Sequence, residues 1–128
     1  MKPRKTVVCV EDDEGMLQLV DLVLKESGVN VVPALGGRAG LETIRTVRPD
    51  LVMLDLFMPD VNGWEIYEEI RRDRELHGTK VLVLSAYQEE IASALVPHLS
   101  EVDDYLCKPF SLAQLRRAVD EALSPAPA

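Results

Sequence analysis

The 128-residue chain has no excess of basic residues: 14 lysines and arginines stand against 22 aspartates and glutamates, a net charge of −8. Direct nucleic-acid binding is thereby disfavoured, because neutralised phosphates supply most of such affinity. No apolar run approaches the roughly 18 residues a membrane-spanning helix needs. The start, Met1-Lys2-Pro3-Arg4-Lys5, leads straight into a β-branched run rather than a signal peptide. Cysteine is scarce. Cys9 and Cys107 both lie in strand-like runs and read as small core residues in a reducing compartment, not as a bridge. These absences predict a cytoplasmic protein with neither a membrane nor a nucleic acid as its direct partner.

What is present is an ordinary globular composition, 47% hydrophobic and 28% charged, of a length that suits one domain. Its centre is Leu51-Val52-Met53-Leu54-Asp55, four apolar residues and then a carboxylate. Such a run suits a strand buried on both faces. Met58-Pro59 and then Asn62-Gly63 follow, a break and a turn before a new helical pattern.

The remainder alternates. Thr6-Val7-Val8-Cys9-Val10 reads as strand one, ending in Glu11-Asp12-Asp13. Met16, Leu17, Val20, Val23 and Leu24 recur at helical spacing, and Gly28 closes that helix. Residues 29–34 read as an edge strand, since Pro33 cannot donate to a ladder. Leu41, Ile44 and Val47 mark a helix stopped by Pro49; Trp64, Ile66, Tyr67 and Ile70 mark another, expected to run through Glu75. Lys80-Val81-Leu82-Val83-Leu84 is a fourth strand ending at Ser85, and residues 89–96 a fourth helix. Asp104-Tyr105-Leu106-Cys107 is a fifth strand ending at Lys108, and Leu112, Leu115, Val119 and Ala122 line a last helix. Five strands alternating with five helices predict an α/β three-layer sandwich with a parallel sheet.

In a parallel sheet all carboxyl ends share one rim, where ligands bind. Asp12, Asp13, Asp55, Ser85 and Lys108 are expected to meet there. Crowded carboxylates repel and couple their titration, and a divalent cation relieves that repulsion. An all-oxygen set favours Mg²⁺ over Zn²⁺, because no histidine or cysteine ends a strand at the site. Singly, each residue has an ordinary explanation: Asp13 as a helix cap, Ser85 as a turn residue, Lys108 as a surface lysine. Together on one rim they do not. His77 and His98 sit at no strand end and read as solvated loop residues.

In its acidic pair, its central Asp55 followed by Met-Pro and Asn-Gly, its Ser85-Ala86 and its Lys108-Pro109-Phe110, the chain resembles a response-regulator receiver domain of two-component phosphorelay signalling. The resemblance implies a flavodoxin-like (βα)5 fold with strand order 2-1-3-4-5, over residues 1–123, with 124–128 a Pro/Ala tail or the start of a linker. It implies that Asp55 is the phosphoacceptor. Asp13, Asp55 and the Phe57 backbone carbonyl would bind Mg²⁺ (or Mn²⁺) directly, with Asp12 acting largely through water. Ser85 and Lys108 would hold phosphoryl oxygens, Tyr105 would be the aromatic switch residue, and the Lys108-Pro109 bond would be cis. The donor would be a phosphohistidine on a sensor histidine kinase or a histidine phosphotransfer protein. The product would act on an output domain or a downstream protein, so the chain would be a signalling domain and not an enzyme.

Some features depart from that pattern. Ser100-Glu101-Val102-Asp103-Asp104 stands where the family usually carries Gly-Ala, and Pro97 and His98 interrupt the end of helix four. The face of helix four and helix five is therefore expected to meet a partner other than the dimer mate of DNA-binding regulators, or none. Phe57 and Tyr87 are bulky and lie two residues after Asp55 and Ser85. They are expected either to shield an acyl phosphate from water, prolonging its life, or merely to pack together. A phosphatase of the dehalogenase type would want an acid where Phe57 stands. A flavodoxin-type binder would want a phosphate loop where Glu11-Asp12-Asp13-Glu14 stands. The remaining alternative is a receiver-like interaction domain that takes no phosphate.

Overall fold

A computed structural model describes residues 4–124; the expected tail lies outside them apart from Ser124. Five strands, β1 (Thr6–Glu11), β2 (Asn30–Leu35), β3 (Leu51–Asp55), β4 (Lys80–Ser85) and β5 (Asp104–Cys107), alternate with α1 (Glu14–Glu26), α2 (Gly37–Val47), α3 (Gly63–Arg72), α4 (Glu89–Leu95) and α5 (Leu112–Leu123). The strands pair in parallel in the order β2-β1-β3-β4-β5. The expected three-layer architecture and strand order are therefore present, with Pro33 on the edge strand. No helix among the described residues is long and apolar enough to cross a membrane.

The period-two alternation of each strand divides the core. Val8, Val10, Val52, Leu54, Val81 and Val83 face α2, α3 and α4. Val7, Cys9, Leu51, Met53, Leu82 and Leu84 face α1 and α5. Every residue of β3 is buried, so its apolar run is explained by cover on both faces.

Several boundaries or placements differ from the expectation, among them the end of α4 at Leu95 rather than at residue 96. β1 runs one residue further and takes in Glu11. β2 begins and ends one residue later than expected. Cys107 is only half-buried, whereas Cys9 is fully buried and its thiol is pushed up by burial; both are free. α3 stops at Arg72 rather than Glu75, because the Asp73 carboxylate accepts from the Glu75 N–H at 2.9 Å and turns the chain.

The α3–β4 turn is fastened by Arg71. Its guanidinium donates to the carbonyls of His77 (3.1 Å) and Thr79 (2.6 Å), to the Tyr67 hydroxyl (3.2 Å) and to Asp103 (3.1 Å). Tyr67 in turn donates to the Glu101 carbonyl, and Asp103 also accepts from the Val81 N–H at 2.7 Å. The unusual segment before β5 is thus tied back to α3.

Candidate functional site

β1 and β3 pair in register with Val10 level with Leu54. The next residue on each strand, Glu11 and Asp55, is therefore the first to emerge from the apolar ladder at the carboxyl rim. Glu11 is fully buried and Asp55 is 5% exposed. Carboxylate oxygens of Glu11, Asp12 and Asp55 lie within 4.8 Å of one another, a spacing that could hold a metal ion.

Asp13 does not join them. It is the N-cap of α1, and its Oδ1 accepts from the Met16 N–H at 3.3 Å. Its expected place beside Asp55 is corrected to Glu11, which comes first because strand one extends to it. The clue lay in the sequence: residues 7–10 and 51–54 are apolar runs of equal length, and each is followed at once by an acid, Glu11 and Asp55.

Lys108, just after β5, brings its Nζ to 2.7 Å from Glu11 Oε2 and 3.7 Å from Asp55 Oδ2. Its backbone N–H donates to the Ser85 carbonyl at 2.7 Å, which ties the lysine to the end of β4, and the Lys108-Pro109 bond is cis. Glu11 also receives the backbone N–H groups of Asp12 (3.2 Å) and Asp13 (3.4 Å) through Oε1. Ser85 is fully buried, and its Oγ accepts from the Tyr87 N–H at 3.0 Å. The half-buried Tyr105 donates its hydroxyl to the Tyr87 carbonyl. Phe57 and Tyr87 meet edge to face with ring centroids 4.9 Å apart.

The loop after Asp55 is held closely. Phe57 bridges Asn62, the Gly63 N–H donates to the Leu56 carbonyl at 2.9 Å, and Asn62 caps α3. A Cβ at Gly63 would come within 2.4 Å of the Asp55 carbonyl oxygen, so this close approach requires glycine. Asp60 reaches from the same loop to the Gly37 (3.0 Å) and Arg38 (3.3 Å) N–H groups at the start of α2, which lower its pKa.

Burial raises the Asp55 pKa to about 8, reinforced by Glu11 and opposed by Lys108. For Lys108 burial works against the charge, but Glu11 and Asp55 outweigh it and its pKa rises. An acid that prefers its proton at neutral pH, set among oxygen donors only, suits a hard divalent cation that would displace that proton.

Comparisons with known proteins agree with this geometry. Residues 7–120 match the family described as response regulator receiver domain. The chain is 32% identical over 119 residues to the alkaline phosphatase synthesis transcriptional regulatory protein PhoP of Bacillus subtilis, covering 93% of this chain and 48% of that one. It is similar to the structure of the response regulator TrrA from Thermotoga maritima in complex with Mg(2+)-BeF. The TM-score there is 0.78 at 30% identity, over 93% of this chain and 99% of that one. The chemotaxis response regulator CheY4 of Vibrio cholerae shares the fold, with a TM-score of 0.86 at 24% identity over 94% and 100% of the two chains. The chain belongs to the response-regulator receiver family. It spans about half the length of the curated relatives it matches.

Proposed function

We propose that Asp55 accepts a phosphoryl group from a phosphohistidine on a sensor histidine kinase or phosphotransfer protein, in a Mg²⁺-dependent reaction in the cytoplasm. The observation that carries this reading is the meeting of Glu11, Asp12 and Asp55 with Lys108 at one rim. An Asp55 oxygen attacks phosphorus, an O–P bond forms, and the N–P bond of the donor breaks, its electron pair staying on the imidazole. Glu11, Asp12 and Asp55, with the Phe57 carbonyl by resemblance, are the residues that would hold the ion. Bound there, Mg²⁺ would offset the charge of the carboxylates and of the transferring group.

The chain's own residues do the remainder. Lys108 offers its ammonium to a phosphoryl oxygen. Ser85 accepts the Tyr87 N–H, and its own hydroxyl proton, which also lies within reach of the Tyr105 side chain, can be donated to a phosphoryl oxygen. Movement of Ser85 toward the phosphoryl group pulls on Tyr87, and Tyr105, bonded to the Tyr87 carbonyl, follows. The chain is on this reading a signalling switch, residues 1–123 forming the receiver and 124–128 a tail or linker to an output. Incubation with acetyl phosphate and Mg²⁺ should add the mass of one phosphoryl group; with EDTA, or in Asp55→Asn, it should add none. A mass unchanged under every condition would instead support an interaction domain that takes no phosphate.

A further inference from the structure

We propose that Asp60 is a positioning residue: by capping α2 from the loop after β3, it holds Phe57 and its backbone carbonyl in place against Glu11, Asp12 and Asp55. That role rests on the Mg²⁺-dependent function proposed above.

α2 has no cap of its own. Its N-cap is Gly36, which has no side chain to accept from the first N–H groups, and no acid stands in its first turn. Asp60 supplies both from a distant part of the chain. Its Oδ1 accepts from the N–H of Gly37, 23 residues away in sequence, at 3.0 Å, and its Oδ2 from the Arg38 N–H at 3.3 Å. The backbone of α2 is shaped to admit it. Gly36 has a φ of +92°, and a Cβ there would lie 3.1 Å from Asp60 Oδ2; one on Gly37 would lie 2.6 Å from the Val61 Cβ.

A helix cap alone would stabilise α2 and nothing more. Asp60 differs because of what stands at the two ends of its contact. On one side, Gly36 donates its N–H to the Glu11 carbonyl at 2.9 Å, and the buried Gly37, Gly40 and Ile44 seat α2 on the sheet. On the other side, Asp60 belongs to the loop that leaves Asp55. The Phe57–Asn62 bridge closes the base of that loop, and the Phe57 N–H donates to Asp55 Oδ1 at 3.3 Å. Among the described residues, the side-chain hydrogen bonds that join residues 58–61 to another element are those of Asp60. The path from Glu11 through Gly36, Gly37, Asp60 and Phe57 to Asp55 therefore closes a ring around the rim, and Asp60 is its exposed link. Groups that orient metal ligands from one step away typically change metal affinity about tenfold or more when removed.

The test titrates the full chain with Mg²⁺ alone, without a phosphodonor, and follows the Asp55 and Phe57 amides by NMR. Asp60→Ala should raise the half-saturating Mg²⁺ concentration about tenfold. Asp60→Asn loses the same charge but keeps an acceptor for the α2 N–H groups, and should recover most of that loss. Ser111→Ala removes the cap of α5 instead and should bind Mg²⁺ as wild type does. By linkage, Mg²⁺ should slow hydrogen exchange at Gly37 and Arg38 in wild type but not in Asp60→Ala. The proposal is overturned by equal affinity in Asp60→Ala, by an equal loss in Asp60→Asn (which would assign the effect to charge alone), by the same loss in Ser111→Ala, or by exchange at Gly37 that ignores Mg²⁺. A wild-type chain that binds Mg²⁺ and takes phosphate on Asp55, with Asp60→Ala unchanged, rejects this role alone. A wild-type chain that binds no Mg²⁺ rejects the proposed function and this role with it.

Discussion

Lys108 rests its ammonium closer to Glu11, at 2.7 Å, than to Asp55, which lies 3.7 Å away. The longer glutamate side chain spans the rim and occupies the lysine while Asp55 keeps its proton. Glu11→Ala should therefore transfer Lys108 to Asp55 and draw the Asp55 pKa down from about 8, by removing a carboxylate that raises it and freeing one cation. Direct titration of the Asp55 carboxyl by NMR in wild type and variant measures this. An unmoved or higher value rejects the arrangement.

The raised Asp55 pKa has a consequence for stability. In the metal-free fold the group titrates near 8, against 3.8 when unperturbed. Between those values the folded state holds a proton that the unfolded state has lost, so this group's contribution is complete below about pH 4 and disappears as pH climbs through 8. Asp55→Asn, which mimics the protonated form, should match wild type near pH 4 and be the more stable of the two at pH 8. Urea unfolding in EDTA across that range checks the sign, and added Mg²⁺ should narrow the gap.

Asp13 and Asp12 should separate cleanly. Asp13→Ala removes the α1 cap and should cost about 1 kcal/mol of stability while leaving phosphorylation intact. Asp12→Asn should do the opposite, preserving the fold and reducing Mg²⁺ affinity. Thermal melts and Mg²⁺ titrations of the two variants give the answer.

Arg71 offers a purely structural prediction. Arg71→Ala leaves the Tyr67 hydroxyl, Asp103 and two turn carbonyls without their shared donor, and should destabilise by about 2 kcal/mol. Arg71→Lys should recover little, since an ammonium cannot reproduce the planar fork. Chemical denaturation of the three proteins decides.

Phe57 and Tyr87 pack edge to face and remain 37% and 44% exposed. If they also cover the acyl phosphate, replacing both by small polar residues should shorten its lifetime. Timed loss of phosphate from the purified protein shows whether packing is their whole role; an unchanged or longer lifetime means that it is.

The strands and their order were legible because each apolar run is short, bounded by turn residues and spaced by an amphipathic helix. The rim positions of Asp55, Ser85 and Lys108 were legible because each ends or directly follows such a run, and Asp12 lies one residue beyond another. Glu11 was missed by a single step, since four acids in a row conceal which one leaves the sheet and which caps the helix; strand register decides that, not composition. The early end of α3 was hidden in one side-chain bond from Asp73. The fastening of residues 101–103 to Arg71 joins segments about 30 residues apart, which no local pattern records.

The central claim is that one carboxylate, at position 55, carries the phosphoryl group. Borohydride reduction of the protein after incubation with acetyl phosphate and Mg²⁺, followed by peptide mapping, converts the modified aspartate to homoserine and so locates it. Homoserine at position 55, absent when EDTA is present, is the predicted result. Its appearance at 12 or 13, or reduction nowhere at all, would contradict the account.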